Sequence, residues 1–169
     1  WDHFGPRLAE ASRAARVDLA DALERGSMGL RDTRPDHFFT YAYSCAFMDL
    51  CSARGIAADL MAGYSFGIYG ALYGSGALTF GEGLAAVGRA YDLMDTASRE
   101  RDYTMALTIG LSAGEIDAIL SSGYYDRLCM VNSNNDTCKV FAGPRHSLAR
   151  FVEEAQRHEA IDARFLNVA

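Results

Sequence analysis

The chain has 169 residues, of which 50% are apolar and 22% are charged, so it is long and apolar enough for one globular domain or for a domain with an inserted subdomain. Its formal net charge of −6 argues against a duplex-binding surface, because neutralising phosphates requires a surplus of Lys and Arg. No signal peptide, membrane-spanning apolar run or metal-binding cysteine spacing is visible. We therefore expect a cytoplasmic protein with free thiols and with no nucleic acid, membrane, metal or cofactor among its partners.

Helical spacing dominates the first fifty residues. Apolar residues recurring at threes and fours predict one helix over residues 6–25, and Pro35 and Gly55 bracket a second helix. The apolar positions of the second helix form a broad stripe, which consists of Phe39, Tyr43, Phe47 and Leu50.

A strand and two more helices are predicted after Gly55. The run 56–62 is apolar except at Asp59, which is typical of a buried parallel strand. Residues 66–73 then form a predicted helix. Thr79 and Glu82 resemble a capping box, which predicts the start of another helix that reaches about residue 97.

The polar stretch 98–102 is the predicted boundary between a core, residues 1–100, and a subdomain, residues 101–169. Beyond the boundary, strand-like and helix-like patterns alternate. The predicted strands are 103–109, 127–131, 138–141 and 163–168, and the predicted helices are 112–121 and 147–158. This order, βαββαβ, is that of a ferredoxin-like unit.

The pentapeptide Gly63-Tyr64-Ser65-Phe66-Gly67 fits the pattern GxSxG between a predicted strand and a predicted helix. A sharp turn there would project the Ser65 hydroxyl at the helix N-terminus, where the Phe66 amide could face a developing oxyanion. Ser65 is therefore a candidate nucleophile. The alternative is that Ser65 only caps the helix that begins at Phe66.

The stretch from Met61 to Leu72, followed by Gly76 to Phe80, resembles the nucleophile region of malonyl-CoA:acyl carrier protein transacylases. Residues 131–134 and 142–143 also resemble the ferredoxin-like subdomain of that family, and the similarity covers nearly the whole chain. The resemblance implies an α/β fold, in which a parallel-sheet hydrolase-like core carries an inserted ferredoxin-like βαββαβ subdomain.

The activity that this resemblance implies is acyl transfer from coenzyme A to acyl carrier protein, in fatty acid or polyketide synthesis, with malonyl-CoA as the default donor. Ser65 would form an acyl-enzyme, and the phosphopantetheine thiol of the carrier would collect the acyl group. The histidine base of the family lies just beyond a segment that resembles residues 164–169. Because the chain opens at Trp1 without an initiator Met, we expect it to be a piece of a larger protein whose base lies outside it.

None of the four histidines matches the catalytic position of the family, and each is expected at the surface or at a helix end. They are His3, His37, His146 and His158.

Several positions depart from the family pattern and bear on the acyl pocket. Tyr64 stands where His is common, and Ala90 aligns with the arginine that holds the malonyl carboxylate, one residue after Arg89. Arg89 could miss the pocket and be a solvated helix residue, because one step along a helix turns a side chain by roughly a quarter turn or more. Arg34 is a second candidate for the displaced charge, or a loop arginine ahead of a helix.

Asn132 and Asn134 match the family. They are candidates for the floor of the acyl pocket, or they only satisfy a turn between two strands. With Tyr64 and Arg89 they make up the candidate substrate-binding set.

Two further functions remain open from the sequence. A serine acyl hydrolase acting on thioesters would use the same sharp turn at Ser65, here called the elbow, and would release the acid to water. A non-catalytic carrier-binding module would keep the fold without forming any adduct on Ser65.

Overall fold

The computed structural model describes residues 2–28 and 33–166, and it divides into two compact units, Trp1–Leu93 and Met94–Ala169. The helices are α1 (Phe4–Ala15), α2 (Leu19–Glu24), α3 (Arg34–Ala53), α4 (Gly67–Gly74), α5 (Phe80–Arg101), α6 (Ala113–Ser122) and α7 (Arg145–Arg157). The strands are β1 (Tyr103–Ile109), β2 (Cys129–Asn135), β3 (Cys138–Pro144) and β4 (Asp162–Phe165). Across residues 2–28 and 33–166, no helix combines the length and the apolar character needed to cross a bilayer.

The single helix predicted over residues 6–25 is wrong, because the chain breaks it into α1 and α2. Arg16 ends α1 in the left-handed conformation, with φ of 57°. Asp18 then begins α2, and its carboxylate accepts hydrogen bonds from the backbone amides of Ala20 and Asp21. The apolar spacing continues across the break, so periodicity alone did not reveal the Asp18 cap.

The predicted helix after Pro35 is confirmed as α3, but only part of its predicted apolar stripe faces the core, where Phe39 packs against the buried residues. Tyr43 and Phe47 are 56% and 57% exposed. The buried face of α3 consists of Phe38, Tyr41, Ala42, Cys45 and Ala46. Because α3 is apolar on more than one side, periodicity alone does not choose its core face, and the packing of α1 and α4 against it does.

The buried strand predicted over residues 56–62 is also wrong. Ile56 and Leu60 are 61% and 87% exposed, and the segment pairs with no strand in the described part of the chain. A parallel strand is stabilised by hydrogen bonds to neighbouring strands and by layers on both faces. The described elements of the first unit are all helices, so they offer this segment no strand to pair with.

The capping box predicted for α5 is confirmed. The Thr79 amide and hydroxyl donate to Glu82 Oε2 at 2.8 and 2.7 Å, and the Glu82 amide donates to Thr79 Oγ1 at 3.3 Å. The helix continues to Arg101 and not to residue 97, so residues 98–101 of the polar stretch form its last turn. The two units divide inside α5, after Leu93, and the boundary at residue 100 stays a prediction.

The second unit has the predicted βαββαβ order. Its sheet is antiparallel, with strand order β2-β3-β1-β4, and α7 packs on β1, β3, β4 and α6. Alternate residues of β1 are buried, and Ala106 lies opposite Phe141 on β3. Phe141 and Phe151 of α7 meet in the core with ring centroids 4.4 Å apart. This arrangement buries the sheet face under the helices with contributions from every strand except β2.

Candidate active site

Ser65 lies in a tight turn immediately before α4. Its φ of 50° is in the left-handed region, which residues other than glycine seldom adopt and which is often found where strain serves function. The Gly67 amide donates to the Tyr64 carbonyl at 2.8 Å, and the Ile68 amide donates to the Ser65 carbonyl at 3.1 Å. Ser65 is exposed, so the turn presents its hydroxyl at the surface of the first unit.

The alternative that Ser65 merely caps the helix does not fit this geometry. The N-cap of α4 is Phe66, and no side chain makes a capping hydrogen bond there. A capping serine has an extended backbone and accepts a hydrogen bond from the first turn of the helix, whereas Ser65 is left-handed.

The two glycines of GxSxG have different roles. A Cβ on Gly63 would lie 2.3 Å from the backbone nitrogen and Cα of Ile68, so only glycine permits this close approach. A Cβ on Gly67 would meet nothing within 4 Å. The first glycine therefore determines the tightness of the turn around Ser65.

The Phe66 amide, the predicted oxyanion donor, belongs to the N-terminal end of α4. The first amides of a helix have no partner inside the helix and carry the positive end of its dipole. Among the described backbone hydrogen bonds, the donors of this turn begin with Gly67. The Phe66 ring is held by aromatic contacts, with centroids 5.1 Å from His37 and 5.3 Å from Tyr69.

His37 is the residue near the elbow that sequence reasoning missed, because it was expected to be an ordinary surface or helix-end histidine. It is half-buried in the first turn of α3, and its ring lies edge-on to those of Phe66 and Tyr91. Its Nδ1 lies 2.9 Å from the carbonyl oxygen of Thr33. Because a carbonyl only accepts hydrogen bonds, Nδ1 carries the proton in this contact. Its place in the helix that follows Arg34-Pro35, within the region of family resemblance, was the available signal.

Arg34 and Arg89 line one groove in the first unit, with a volume of about 540 Å³. The Arg34 guanidinium pairs with Asp92 and lies over the Phe38 ring, with Cζ 5.6 Å from the ring centroid. Arg89 is exposed on α5, and Ala90 beside it is half-buried. Of these two arginines, Arg34 is thus fixed by a carboxylate and Arg89 is turned to solvent.

Of the other predicted substrate residues, Tyr64 lies in the elbow with 65% of its surface exposed. Asn132 and Asn134 lie on β2, where the Asn134 amide nitrogen is 3.6 Å from Cys138 Sγ. Both interpretations of these asparagines, pocket floor and turn, stay predictions. The turn follows β2, and Asn135 accepts there from the Thr137 amide at 2.9 Å.

Three histidines lie at helix ends, as predicted. His3 is the N-cap of α1, His146 is exposed in the first turn of α7, and His158 ends that helix. Within the described residues, no group of three or more His, Cys, Asp or Glu side chains is arranged to hold a metal ion.

Solved structures define the class to which this fold belongs. A malonyl-transacylase in complex with a type II polyketide synthase acyl-carrier protein is 27% identical with a TM-score of 0.87, over 99% of this chain and 55% of that one. The malonyl CoA-acyl carrier protein transacylase of Coxiella burnetii is 25% identical with a TM-score of 0.88, over 99% of this chain and 54% of its own. The fold is thus that of acyl carrier protein transacylases.

Sequence relatives agree with this class, although no family model matches the chain. The polyketide biosynthesis malonyl CoA-acyl carrier protein transacylase BaeC of Bacillus velezensis is 32% identical over 92 residues, which are 54% of this chain and 31% of BaeC. The chain spans only 7% of the non-reducing polyketide synthase ntnG of Nectria sp, 8% of the polyketide biosynthesis protein ThaF of Burkholderia thailandensis, and about half of each of these two solved structures. The predicted resemblance is confirmed, because the chain is similar to malonyl-CoA:acyl carrier protein transacylases both in fold and in sequence.

Proposed function

We propose that the full-length protein transfers an acyl group from coenzyme A to an acyl carrier protein, with Ser65 as the nucleophile. The observation that carries the proposal is the exposed Ser65 hydroxyl in a left-handed turn at the N-terminus of α4. The relatives support the donor and the acceptor, because BaeC is named for malonyl CoA and one solved relative is bound to an acyl-carrier protein. The cytoplasmic location expected for such an enzyme is part of the proposal.

In the first half-reaction, Ser65 Oγ attacks the thioester carbonyl of acyl-CoA. The new C–O bond forms, the carbonyl oxygen gains negative charge, and the Phe66 amide and the dipole of α4 stabilise that charge. Collapse of the tetrahedral intermediate breaks the C–S bond and releases coenzyme A as its thiol, which takes the proton lost by Ser65. The product is an acyl ester on Ser65.

In the second half-reaction, the phosphopantetheine thiol of the carrier protein attacks this ester. The C–S bond of the acyl-carrier forms, the C–O bond to Ser65 breaks, and the proton of the thiol returns to Ser65 through the base. The resemblance assigns the base to a histidine that follows a segment similar to residues 164–169. His37 supports the turn instead, because it contacts the Phe66 ring and its Nδ1 is bonded to Thr33.

For the acyl group, we propose malonyl, with Arg89 as the cation that meets its free carboxylate. Arg34 is less available for this role, because Asp92 already neutralises it. Replacing Arg89 with Ala should therefore lower the rate with malonyl-CoA about tenfold or more and leave the rate with acetyl-CoA unchanged. If Arg89→Ala lowered the rates with both donors equally, Arg89 would not be the residue that binds the malonyl carboxylate.

The test of the main proposal follows labelled malonyl-CoA with carrier protein and the full-length gene product. We expect label on the carrier, and a loss of about 10³-fold or more in Ser65→Ala. Ser75→Ala is the matched control, because Ser75 is an exposed serine at the other end of α4 and should leave the rate unchanged. A Ser65→Ala protein that still transfers label would overturn the proposal.

Hydrolysis of acyl thioesters is a second candidate, which the arginines favour. Arg34 is paired with Asp92, and Ala90 stands at the aligned position of the family arginine. A pocket without a cation accepts uncharged acyl groups, and water can then replace the carrier thiol. The same assay is repeated with labelled acetyl-CoA. Free acid from either donor, without labelled carrier from either, would support the hydrolase and exclude the transferase.

A further inference from the structure

We propose that Arg7, Asp49 and Tyr73 form a positioning network that holds α4, and through it the Ser65 turn, in the geometry that acyl transfer needs. This inference rests on the proposed function of Ser65. None of the three side chains touches Ser65 in the structure, so each acts through the helix.

The three side chains close a ring of hydrogen bonds between three helices. Arg7 of α1 donates from Nε to Asp49 Oδ2 at 2.9 Å and from Nη2 to the Tyr73 hydroxyl at 2.6 Å. The Tyr73 hydroxyl, in the last turn of α4, donates to Asp49 Oδ1 on α3 at 2.5 Å. Charge-assisted bonds of this kind are roughly twice as strong as neutral ones.

The network lies in a partly buried aromatic setting. The Arg7 and Asp49 side chains are only 29% and 26% exposed, and Arg7 Cζ lies 4.6 Å from the Phe80 ring centroid and 5.2 Å from that of Tyr73. Burial and the bond to Asp49 raise the pKa of Tyr73 to about 12. The hydroxyl therefore stays protonated and keeps donating to Asp49 throughout the neutral range.

The close approach of α4 to α3 fixes the distance between the two helices. A Cβ on Gly70 or Gly74 would lie 3.1 or 2.4 Å from atoms of Met48, so the helix approaches α3 through its glycines. A glycine surface is smooth, and the Met48 side chain is flexible. The Tyr73 hydroxyl adds directional bonds at the C-terminal end of this eight-residue helix, whereas the Phe66 ring is held by His37 at the other end.

Rotation of α4 would move the nucleophile, because the Ser65 turn is bonded into the first turn of the helix. The Ser65 carbonyl accepts from Ile68, and the Tyr64 carbonyl accepts from Gly67. Ser65 Oγ and the Phe66 amide thus move with α4. A misplacement of about 1 Å at reacting atoms can lower a rate about 100-fold.

The experiment uses Tyr73→Phe and Asp49→Asn in the full-length gene product. Tyr73→Phe keeps the ring and its contacts with Arg7 and Phe80 but removes the bonding hydroxyl. We expect kcat for transfer from malonyl-CoA to fall about 10- to 100-fold at temperatures far below Tm, with KM for malonyl-CoA changed less than about 2-fold. The kcat of the double variant should be no lower than that of the more impaired single variant, because the two residues act as one unit.

Two controls separate positioning from stability. Tyr43→Phe removes a hydroxyl from an exposed tyrosine of α3 outside the network and should leave kcat unchanged. Thr79→Ala destabilises the α5 cap without touching the network, and it should lower Tm but not kcat. If Tyr73→Phe fails to fold, Arg7→Lys makes the same test, because Lys keeps the charge but loses the two-pronged geometry.

Two outcomes overturn the inference in distinguishable ways. A folded Tyr73→Phe protein with the wild-type kcat overturns the network and leaves the role of Ser65 intact. A wild-type protein that acylates neither Ser65 nor the carrier overturns the proposed function, and the network falls with it.

Discussion

The second unit builds a complete sheet from four strands within one stretch of chain, whereas the first unit leaves the strand-like segment 56–62 exposed and unpaired among the described residues. In the second unit every predicted strand finds a partner strand within the unit, so local pattern and tertiary structure agree. In the first unit the segment before the nucleophile has the composition of a strand but no neighbour. A pattern therefore predicts a strand only where the chain also supplies the pairing.

We expect the largest difference between the two units when a buried aromatic side chain is removed from the core of the second unit. Phe151 is fully buried against Phe141, so Phe151→Ala should cost about 3–5 kcal/mol of the free energy of unfolding. Phe47→Ala, at a 57% exposed position of the first unit, should cost less than about 1 kcal/mol. Denaturant titration of both variants checks this, and equal costs would show that the second unit is not organised around Phe151.

The first unit has its own sensitive contact, where α5 approaches α3. A Cβ on Gly83 would lie 1.8 Å from the hydroxyl of the fully buried Tyr41, so Gly83→Ala should destabilise the protein by about 3 kcal/mol. Gly81→Ala is the matched control, since its Cβ would meet only Glu10 Oε1 at 3.5 Å. That change should stabilise the helix by up to about 1 kcal/mol. Thermal unfolding of the pair measures the contrast, and a stabilised Gly83→Ala protein would contradict the packing.

Alkaline pH should weaken the first unit through Cys45. Burial raises the pKa of this thiol to about 11, so between about pH 9 and pH 11 the unfolded thiol ionises while the folded one stays protonated. Stability from this group is complete below pH 9 and is lost as the pH rises, by about 2 kcal/mol. Amide hydrogen exchange in α3 should show the loss, and Cys45→Ala should flatten it. An unchanged slope in Cys45→Ala would exclude the thiol as the cause.

The smallest expected effect compares two capping boxes, one in each unit. The Ser112 box of α6 has the same geometry as the Thr79 box of α5, with donor distances of 2.8, 2.7 and 3.4 Å to or from Glu115. Thr79→Ala and Ser112→Ala should therefore each cost about 1 kcal/mol. Calorimetry of the two variants tests whether the capping box contributes equally to the free energy of unfolding in both units. A difference of several kcal/mol would show that it does not.

Much of the fold could be predicted because its signals are local. Thr79 with Glu82 predicted the start of α5, and the strand-like pattern of residues 103–109 predicted the bounds of β1. The break at Arg16 and the buried face of α3 could not be predicted in the same way. The break depends on the Asp18 cap, which apolar periodicity does not register. The buried face of α3 depends on contacts between helices that lie far apart in sequence, such as Phe38 and Tyr41 packing against α5.

The candidate site also has features that the local sequence predicts and features that it does not. GxSxG predicted the Ser65 turn, since the pattern encodes a local backbone conformation. His37 against the Phe66 ring and Asp49 against Tyr73 were invisible to it, because each pair joins side chains from different helices. Spacing within one helix carries no information about such contacts.

The most direct test of the account is to map the covalent intermediate. The full-length gene product is mixed briefly with malonyl-CoA in the absence of carrier protein, quenched in acid and digested, and the malonyl ester is located by mass spectrometry. The account predicts one ester, on Ser65, which disappears when carrier protein is added. An ester on another residue, or transfer to the carrier with Ser65 unmodified and replaceable by Ala, would contradict it.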